Sequence, residues 1–271
     1  LIQWIYGGLK VNDKVLTELY MKSSKHSQYQ KIPKILEGFI DKTNLEVNSR
    51  YEEERWNYIK SNVDLKNKKC LEIGGNTGFF SFMCIDGGAC YVDYYEGDRT
   101  HAEFVRRASE LLAFDDRLYI YNKYYDFQIG EKKQYDICFF MNVAHHVGMD
   151  YDICADIEEA KDRIIYQINS ISFNTEYMVF QLGFNWGGDR YKCLFEKGTK
   201  REMISFISDN CDKDWEVSNI SVAERIYGGI RYTDLNDSNI KRDDSLGEFL
   251  NRPLFIMRSK HIRRNDDFSI S

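Results

Sequence analysis

The sequence has few prolines and no long apolar run. Only two of its 271 residues are proline, Pro33 and Pro253, so no proline-rich linker divides the chain. No stretch approaches the roughly 18 uninterrupted apolar residues of a membrane-spanning helix, so we expect no membrane span. The first residues lack the basic leader and the small-residue cleavage site of a secretory signal, so we expect none.

The sequence also lacks paired cysteines and a surplus of positive charge. Its seven cysteines are scattered without a Cys-x-x-Cys pair, which predicts buried, reduced thiols in a cytoplasmic protein. The net charge of −6 weighs against a general nucleic-acid binder, which needs excess cations. The local basic clusters at 66–69 and 258–264 are interpreted as a solvated turn and a polar tail. Nucleic acid and membrane are therefore not expected as partners.

The order of apolar patterns predicts three regions. Residues 1–64 show apolar stripes at helical spacing and predict an N-terminal helical extension. Residues 65–260 alternate between short apolar strands and helices, and residues 261–271 form a polar tail. The strands are predicted at 69–73, 89–95, 118–121, 137–141, 177–182, 215–222 and 253–257. Residues 223–250, rich in Gly, Asn and Asp, predict a long loop.

This alternation is typical of an α/β fold with a parallel sheet buried on both faces. We therefore expect a Rossmann-like, doubly wound, mostly parallel sheet of seven strands.

A glycine-rich turn follows the first predicted strand and opens a helix. The segment reads Glu72-x-Gly74-x-Asn76-x-Gly78, and glycine there lets the backbone approach a ligand closely. The acid comes before the glycines, where its charge would repel a pyrophosphate but attract a sulfonium and an ammonium group. A second acid, Glu96, ends the next strand and suits the two hydroxyls of a ribose. The fourth strand is followed by polar residues 142–146, at the sheet edge where ligands bind.

Together these features resemble the core of class I S-adenosylmethionine-dependent methyltransferases. The resemblance implies that S-adenosylmethionine is the cofactor, with Glu96 on its ribose and its adenine near residues 122–126. Asn76 stands where the family motif often has glycine, and asparagine tolerates the same left-handed turn. The cofactor-binding residues implied are Glu72, Gly74, Gly75, Asn76, Gly78, Phe79, Glu96 and Asn142.

Other interpretations of the same residues remain open. The glycines could form a tight turn without a ligand, Glu96 could cap a helix, and the segment could bind a dinucleotide. A methyltransferase-like domain that binds a partner without catalysis would show a blocked or empty pocket.

Two of the five histidines, His145 and His146, come directly after the fourth strand. Methyl transfer to oxygen needs a group that takes up a proton near neutrality, which suits histidine. Either one is therefore a candidate general base, although the pair could instead cap the strand. A magnesium site is not expected, since related metal sites carry carboxylates where this chain has Asn142 and His145. A softer ion held by both histidines and Asp189 is a remaining alternative.

Two further segments combine aromatic rings with polar groups, as sugar-binding loops do. They yield Trp186, Asp189, Arg190, Tyr227 and Arg231 as candidate acceptor-binding residues, and Tyr6-Gly7-Gly8 has the same character. These could equally be ordinary surface loops.

The sequence thus predicts a methyltransferase that acts at oxygen on a small or carbohydrate-like acceptor, that is, on a small molecule or a glycan. A bacterial polysaccharide or nucleotide-sugar pathway is the expected setting. The rival enzymatic interpretation is a tRNA-modifying methyl- or carboxymethyl-transferase, whose relatives share an N-terminal helical extension.

Overall fold

A computed structural model describes residues 12–22, 29–43, 45, 47, 49–128 and 133–262. Tyr6-Gly7-Gly8 and most of the polar tail predicted at 261–271 lie outside these residues. In the described parts of the chain, no helix has both the length and the apolar character needed to cross a bilayer.

The centre of the molecule is one sheet of eight strands in the order β3-β2-β1-β4-β5-β8-β6-β7. Strands β1 to β5 run parallel, whereas β6, β7 and β8 pair antiparallel with their neighbours. The strands are β1 (Lys69–Ile73), β2 (Tyr91–Tyr95), β3 (Leu118–Tyr121), β4 (Tyr135–Met141), β5 (Thr175–Gln181), β6 (Trp215–Ile226), β7 (Gly229–Asp234) and β8 (Leu254–Ser259).

Helices cover both faces of this sheet, as buried parallel strands require. They are α1 (Lys14–Met21), α2 (Glu52–Asn62), α3 (Phe79–Asp86), α4 (Arg99–Leu111), α5 (Ile157–Ile171), α6 (Lys200–Cys211) and the short α7 (Gly247–Leu250). The α/β architecture, the mostly parallel sheet and the doubly wound order predicted from the sequence are confirmed.

The predicted strand number is wrong by one. The segment 223–250 is not one long loop, because β6 continues through Ile226 and pairs with β7 in a hairpin. Tyr227 and Gly228 form its tip, since Ile226 pairs with Gly229, and Gly228 has a φ of +89°, which glycine adopts without a steric penalty. The Gly-Gly pair therefore indicates a tight turn between two strands. Because the surrounding sequence is rich in glycine, its pattern does not predict strand β7.

The N-terminal region is less helical than predicted but shares the core of the main fold. The apolar stripe at 32–40 forms only a 3₁₀ helix, Lys34–Leu36, directly after Pro33. Leu16 and Ile59 are fully buried in the same apolar cluster as Phe80 and Phe139. The rings of Phe80 and Phe139 stack at 5.8 Å, which joins α3 to β4 beneath α2. The N-terminal residues described here are therefore part of one packed unit with the sheet.

The order of the strands in the sheet determines where a ligand site can form. The chain moves from β1 to β2 on one side and later returns to β4 on the other, so a crevice opens at the carboxyl ends of these strands.

Candidate functional site

A cleft of about 860 Å³ lies over that crevice. Its floor contains the turn after β1, the end of β2 and the residues after β4. Its wall comes from the N-terminal region and from α7, and includes Arg50, Arg55 and Arg252. This volume is within the range of small-molecule sites, which is about 300–1,000 Å³.

The turn after β1 leaves no room for side chains at two glycines. A Cβ on Gly74 would lie 2.4 Å from Cγ2 of Val143, and one on Gly75 would lie 2.3 Å from Cε2 of Tyr94. Gly74 also has a φ of +67°, and its amide donates to the carbonyl of Tyr95 over 2.8 Å. The backbone is thus exposed to the cleft at Gly74 and fixed to β2 from behind.

Asn76 and Gly78 complete the turn. Both adopt positive φ, which confirms that asparagine occupies the left-handed position expected of it. Gly78 begins α3, and the side-chain oxygen of Gln30 accepts from the Phe79 amide over 3.0 Å. Phe79 itself is buried. Of the predicted cofactor residues, those lining the cleft are Glu72, Gly74, Asn76, Glu96 and Asn142, while Gly75, Gly78 and Phe79 lie behind them.

Glu72 is a buried carboxyl below this turn. Its Oε2 accepts from the amide of Ser81 over 2.9 Å and also from the Ser81 hydroxyl. Burial raises the pKa of Glu72 to about 8, the Ser81 hydrogen bonds oppose that shift, and the nearby charge of Glu96 adds to it. A cationic ligand would offset this cost by stabilising the carboxylate.

This burial makes stability depend on pH. The folded protein keeps a proton on Glu72 up to about pH 8, while in the unfolded chain this carboxyl loses it near the ordinary glutamate pKa of 4.5. Between these two pH values the folded state binds more protons than the unfolded state does. The free energy of unfolding therefore falls as pH rises, and it stays constant above about pH 8. Glu72→Gln cannot ionise and should flatten this fall when urea unfolding is measured from pH 5 to 8.

The matched control is Glu196→Gln, because Glu196 is exposed. Its curve should run parallel to that of the unsubstituted protein. A Glu72→Gln curve that also runs parallel would refute the assignment of the pH dependence to Glu72.

Glu96 follows β2 and faces the same turn. Its Oε2 accepts from the Asn76 amide and its Oε1 from the Asp98 amide, each over 2.8 Å. Burial raises the pKa of Glu96 to about 7, against the lowering effect of those backbone bonds. Each carboxylate oxygen keeps a second lone pair, so both could still accept from ligand hydroxyls.

Aromatic residues close the cleft where adenine is expected. Lys123, Tyr124 and Tyr125 line it, and the Tyr124 ring lies so close to Gly97 that a Cβ there would be 2.4 Å from its Cε1. Tyr124 stacks on Tyr151 at 5.6 Å between ring centroids and is 57% exposed. The segment 122–126 therefore offers flat apolar surfaces beside Glu96.

The two histidines after β4 have different partners. His145 is buried, and its Nδ1 accepts from the Gly183 amide at 3.3 Å. That bond places the proton of a neutral ring on Nε2, so His145 is a donor on that side. His146 lies on the cleft, and its Nδ1 is 2.7 Å from Oδ2 of Asp150. A carboxylate at this distance would stabilise the imidazolium that forms when the ring takes up a proton.

No group of three or more His, Cys, Asp or Glu side chains in the described residues is arranged to hold a metal ion. His145, His146 and Asp189 accordingly do not form such a group in the described part of the chain.

The predicted acceptor-binding residues lie outside the cleft lining. Trp186 is buried, and its indole N–H donates to the carbonyl of Val147 over 2.6 Å. Asp189 accepts from the Tyr191 amide, and Arg190 turns to the Tyr191 hydroxyl. Tyr227 is fully exposed at the hairpin tip, and Arg231 is exposed on β7. The expectation that these residues meet in the site is not supported. Trp186 packs in the core, and Tyr227 and Arg231 lie on the β6–β7 hairpin.

Several residues on the cleft were not anticipated from the sequence. They are Tyr29, Gln30, Arg50, Glu52, Arg55, Asp150, Glu248, Phe249 and Arg252. Asp150 had a usable signal, because it lies four positions after His146, and a salt bridge of this spacing forms readily in a helical turn. The others come from distant segments.

Comparisons with known proteins support the fold. No protein-family model matches the sequence, and no curated protein sequence matches it. A solved structure from Listeria monocytogenes, assigned as an S-adenosylmethionine-dependent methyltransferase, is similar over 77% of this chain and 97% of its own, with a TM-score of 0.50 and 14% identity. The fold is that of S-adenosylmethionine-dependent methyltransferases.

A second similar structure is WbdD. The match covers 78% of this chain and 41% of WbdD, with a TM-score of 0.51 and 11% identity. At such identities the methyltransferase fold is what the likeness shows, and the chemistry must be argued from the cleft.

Proposed function

We propose that this protein is an S-adenosylmethionine-dependent methyltransferase that methylates an oxygen atom of a small or carbohydrate-like acceptor. The observation that carries the proposal is that one cleft contains both a cofactor-type floor, at Gly74 and Glu96, and a histidine–carboxylate pair, at His146 and Asp150. The cleft is open and lined by both sets of groups, which supports a catalytic role over binding alone.

The floor fits the cofactor on three counts. Gly74 lines the cleft with its backbone alone, and a Cβ there would collide with the side chain of Val143. Glu96 presents acceptor oxygens for ribose hydroxyls, and the buried Glu72 carboxyl lacks a cationic partner among the salt bridges of the described residues. The bound cofactor would supply a methyl group on an electrophilic sulfonium. The protein would position the acceptor in line and take up its proton.

We assign the proton uptake to His146. Its Nδ1 lies 2.7 Å from Oδ2 of Asp150, so the carboxylate would stabilise the imidazolium that forms. The acceptor hydroxyl would lie against Nε2 of His146. His145 is a poor base because its Nδ1 already accepts from Gly183, and we assign it a positioning role beneath His146, its ring centroid 4.3 Å from that of His146.

The acceptor class rests on the mouth of the cleft. Tyr151 lines the cleft together with His146 and Asp150, and an aromatic ring beside polar groups suits a sugar or another hydroxylated ring. The finer choice of a glycan or nucleotide-sugar acceptor is part of this proposal.

Two measurements on the full chain test it. Calorimetry with S-adenosylhomocysteine, the product form of the cofactor, should show saturable binding at micromolar to millimolar concentration. A panel of sugars, sugar phosphates and uronates should then contain an acceptor that gains a methyl group at oxygen. Absence of binding at millimolar concentration would refute the cofactor assignment, and methylation confined to RNA would refute the acceptor class.

A further inference from the structure

Three arginines surround one phenylalanine ring in the wall of the cleft. The guanidinium carbons of Arg50, Arg55 and Arg252 lie 5.2, 5.2 and 5.0 Å from the ring centroid of Phe249. We call these four residues the arginine wall. All four line the cleft that also contains His146. Guanidinium groups stack favourably on aromatic rings. Their attraction to the ring of Phe249 therefore offsets part of the electrostatic repulsion among the three arginines.

Two of the three arginines in the arginine wall pair with carboxylates, so these groups together keep a net charge of one positive. Arg252 pairs with Glu248 at 2.6 Å, and Arg55 pairs with Glu52 at 3.4 Å. Among the described residues, the guanidinium of Arg50 has no carboxylate within salt-bridge distance, and it contacts the rings of Tyr29 and Phe249.

A second observation also indicates a missing partner. The side chain of Arg55 is 4% exposed, yet its Nε has no hydrogen-bond partner among the described residues. A buried donor without a partner costs free energy, and Arg55 is one of the residues that line the cleft. The arginine wall therefore has both an unneutralised cation and an unsatisfied buried donor.

The arginine wall is fixed to the strand that precedes the histidines. Arg252 donates to Oδ1 of Asn142 over 2.9 Å, and Asn142 donates to Oε1 of Gln181 over 2.9 Å. Arg55 donates to the same Gln181 oxygen over 3.2 Å. Since Asn142 directly follows β4, the cations are held rigidly next to the segment that carries His146.

We propose that the arginine wall binds an oxyanion, a carboxylate or a phosphate, carried by the methyl acceptor. This inference rests on the proposed function and narrows its acceptor to an acidic molecule. Arginine suits the role because its planar fork donates two parallel hydrogen bonds to either oxyanion. The alternative source of a carboxylate is the amino-acid part of the cofactor, and the test separates the two.

The test uses calorimetry on the full chain saturated with S-adenosylhomocysteine. Inorganic pyrophosphate and sodium glucuronate are titrated separately, and at least one should bind. Arg50→Gln should weaken that binding about 10- to 100-fold, as expected for loss of a charged hydrogen-bond donor. Arg50→Lys keeps the positive charge but loses the planar guanidinium fork. Its affinity for the anion should therefore lie between the affinities of the unsubstituted protein and of Arg50→Gln. The control Arg201→Gln removes an exposed arginine outside the cleft lining and should change nothing.

A parallel titration identifies the source of the anion. S-adenosylhomocysteine carries a carboxylate, whereas 5′-methylthioadenosine shares its nucleoside and lacks it. If the arginine wall serves the acceptor, Arg50→Gln should bind both nucleosides as the unsubstituted protein does. Selective loss of S-adenosylhomocysteine affinity would overturn the proposal, and so would equal anion binding by Arg50→Gln or no binding of either anion.

Failure of the proposed function would look different. In that case the unsubstituted protein would not bind S-adenosylhomocysteine at all. Pyrophosphate binding that depends on Arg50 in that cofactor-free protein would still support the oxyanion site.

Discussion

Replacing His146 by alanine should lower kcat about 100- to 10,000-fold, the usual contribution of a general base. The affinity for S-adenosylhomocysteine should stay within about twofold, because the cofactor floor is built from the turn after β1 and from Glu96. The neighbouring ring cannot replace His146, because Nδ1 of His145 already accepts from Gly183. The measurement is steady-state methyl transfer to the acceptor found in the panel, paired with calorimetry.

The neighbouring residues supply the controls for this prediction. His145→Asn keeps a side-chain acceptor for the Gly183 amide, so its kcat should stay within about tenfold of the unsubstituted value. Asp150→Asn should lower kcat less than His146→Ala does, since it disturbs the orientation of the ring without removing it. Asp150→Glu should recover part of that loss. Equal rates for His146→Ala and His145→Asn would exclude the assigned base.

Replacing Glu96 by glutamine should weaken S-adenosylhomocysteine binding about 10- to 100-fold, because hydrogen bonds from ribose to a charged acceptor are replaced by weaker ones. The pKa of Glu96 is raised to about 7 by burial. In the unsubstituted protein, affinity should therefore increase as pH rises from 6 to 8 and the carboxyl loses its proton. That increase should be smaller in Glu96→Gln.

The nucleoside 5′-methylthioadenosine separates Glu96 from Glu72. It retains the ribose, so Glu96→Gln should lose a similar factor for it as for S-adenosylhomocysteine. Glu72→Gln should weaken S-adenosylhomocysteine alone, since Glu72 would face the ammonium group that methylthioadenosine lacks. Unchanged methylthioadenosine affinity in Glu96→Gln would contradict the ribose assignment.

The parts of the site predicted from the sequence are those that depend on one stretch of chain. The turn at Gly74, the acid at Glu96 and the histidine pair each follow a predicted strand directly. Parallel strands bring their carboxyl ends to one edge of the sheet, so the order of elements was sufficient to place these residues in one region. The same reasoning gave the sheet, apart from strand β7.

The arginine wall could not be found in this way. Glu52 and Arg55 belong to a run of charged residues at the start of α2, a pattern that indicates a solvated helix face. Both are buried because Gln181 and Phe249, from distant segments, pack over them. Strand β7 was missed for another reason: the composition around Gly228 favoured a loop, and the pairing with β6 decided otherwise.

The joining of distant segments in the cleft wall has a consequence for how the protein folds. Arg55 contacts Gln181 across 126 positions, and Arg252 contacts Asn142 across 110. Forming such contacts requires closure of long stretches of chain, which is slow. During synthesis the strands from β1 to β5 can therefore associate before α7 has emerged. We expect the ability to bind the nucleoside to arise earlier than the ability to select an acceptor.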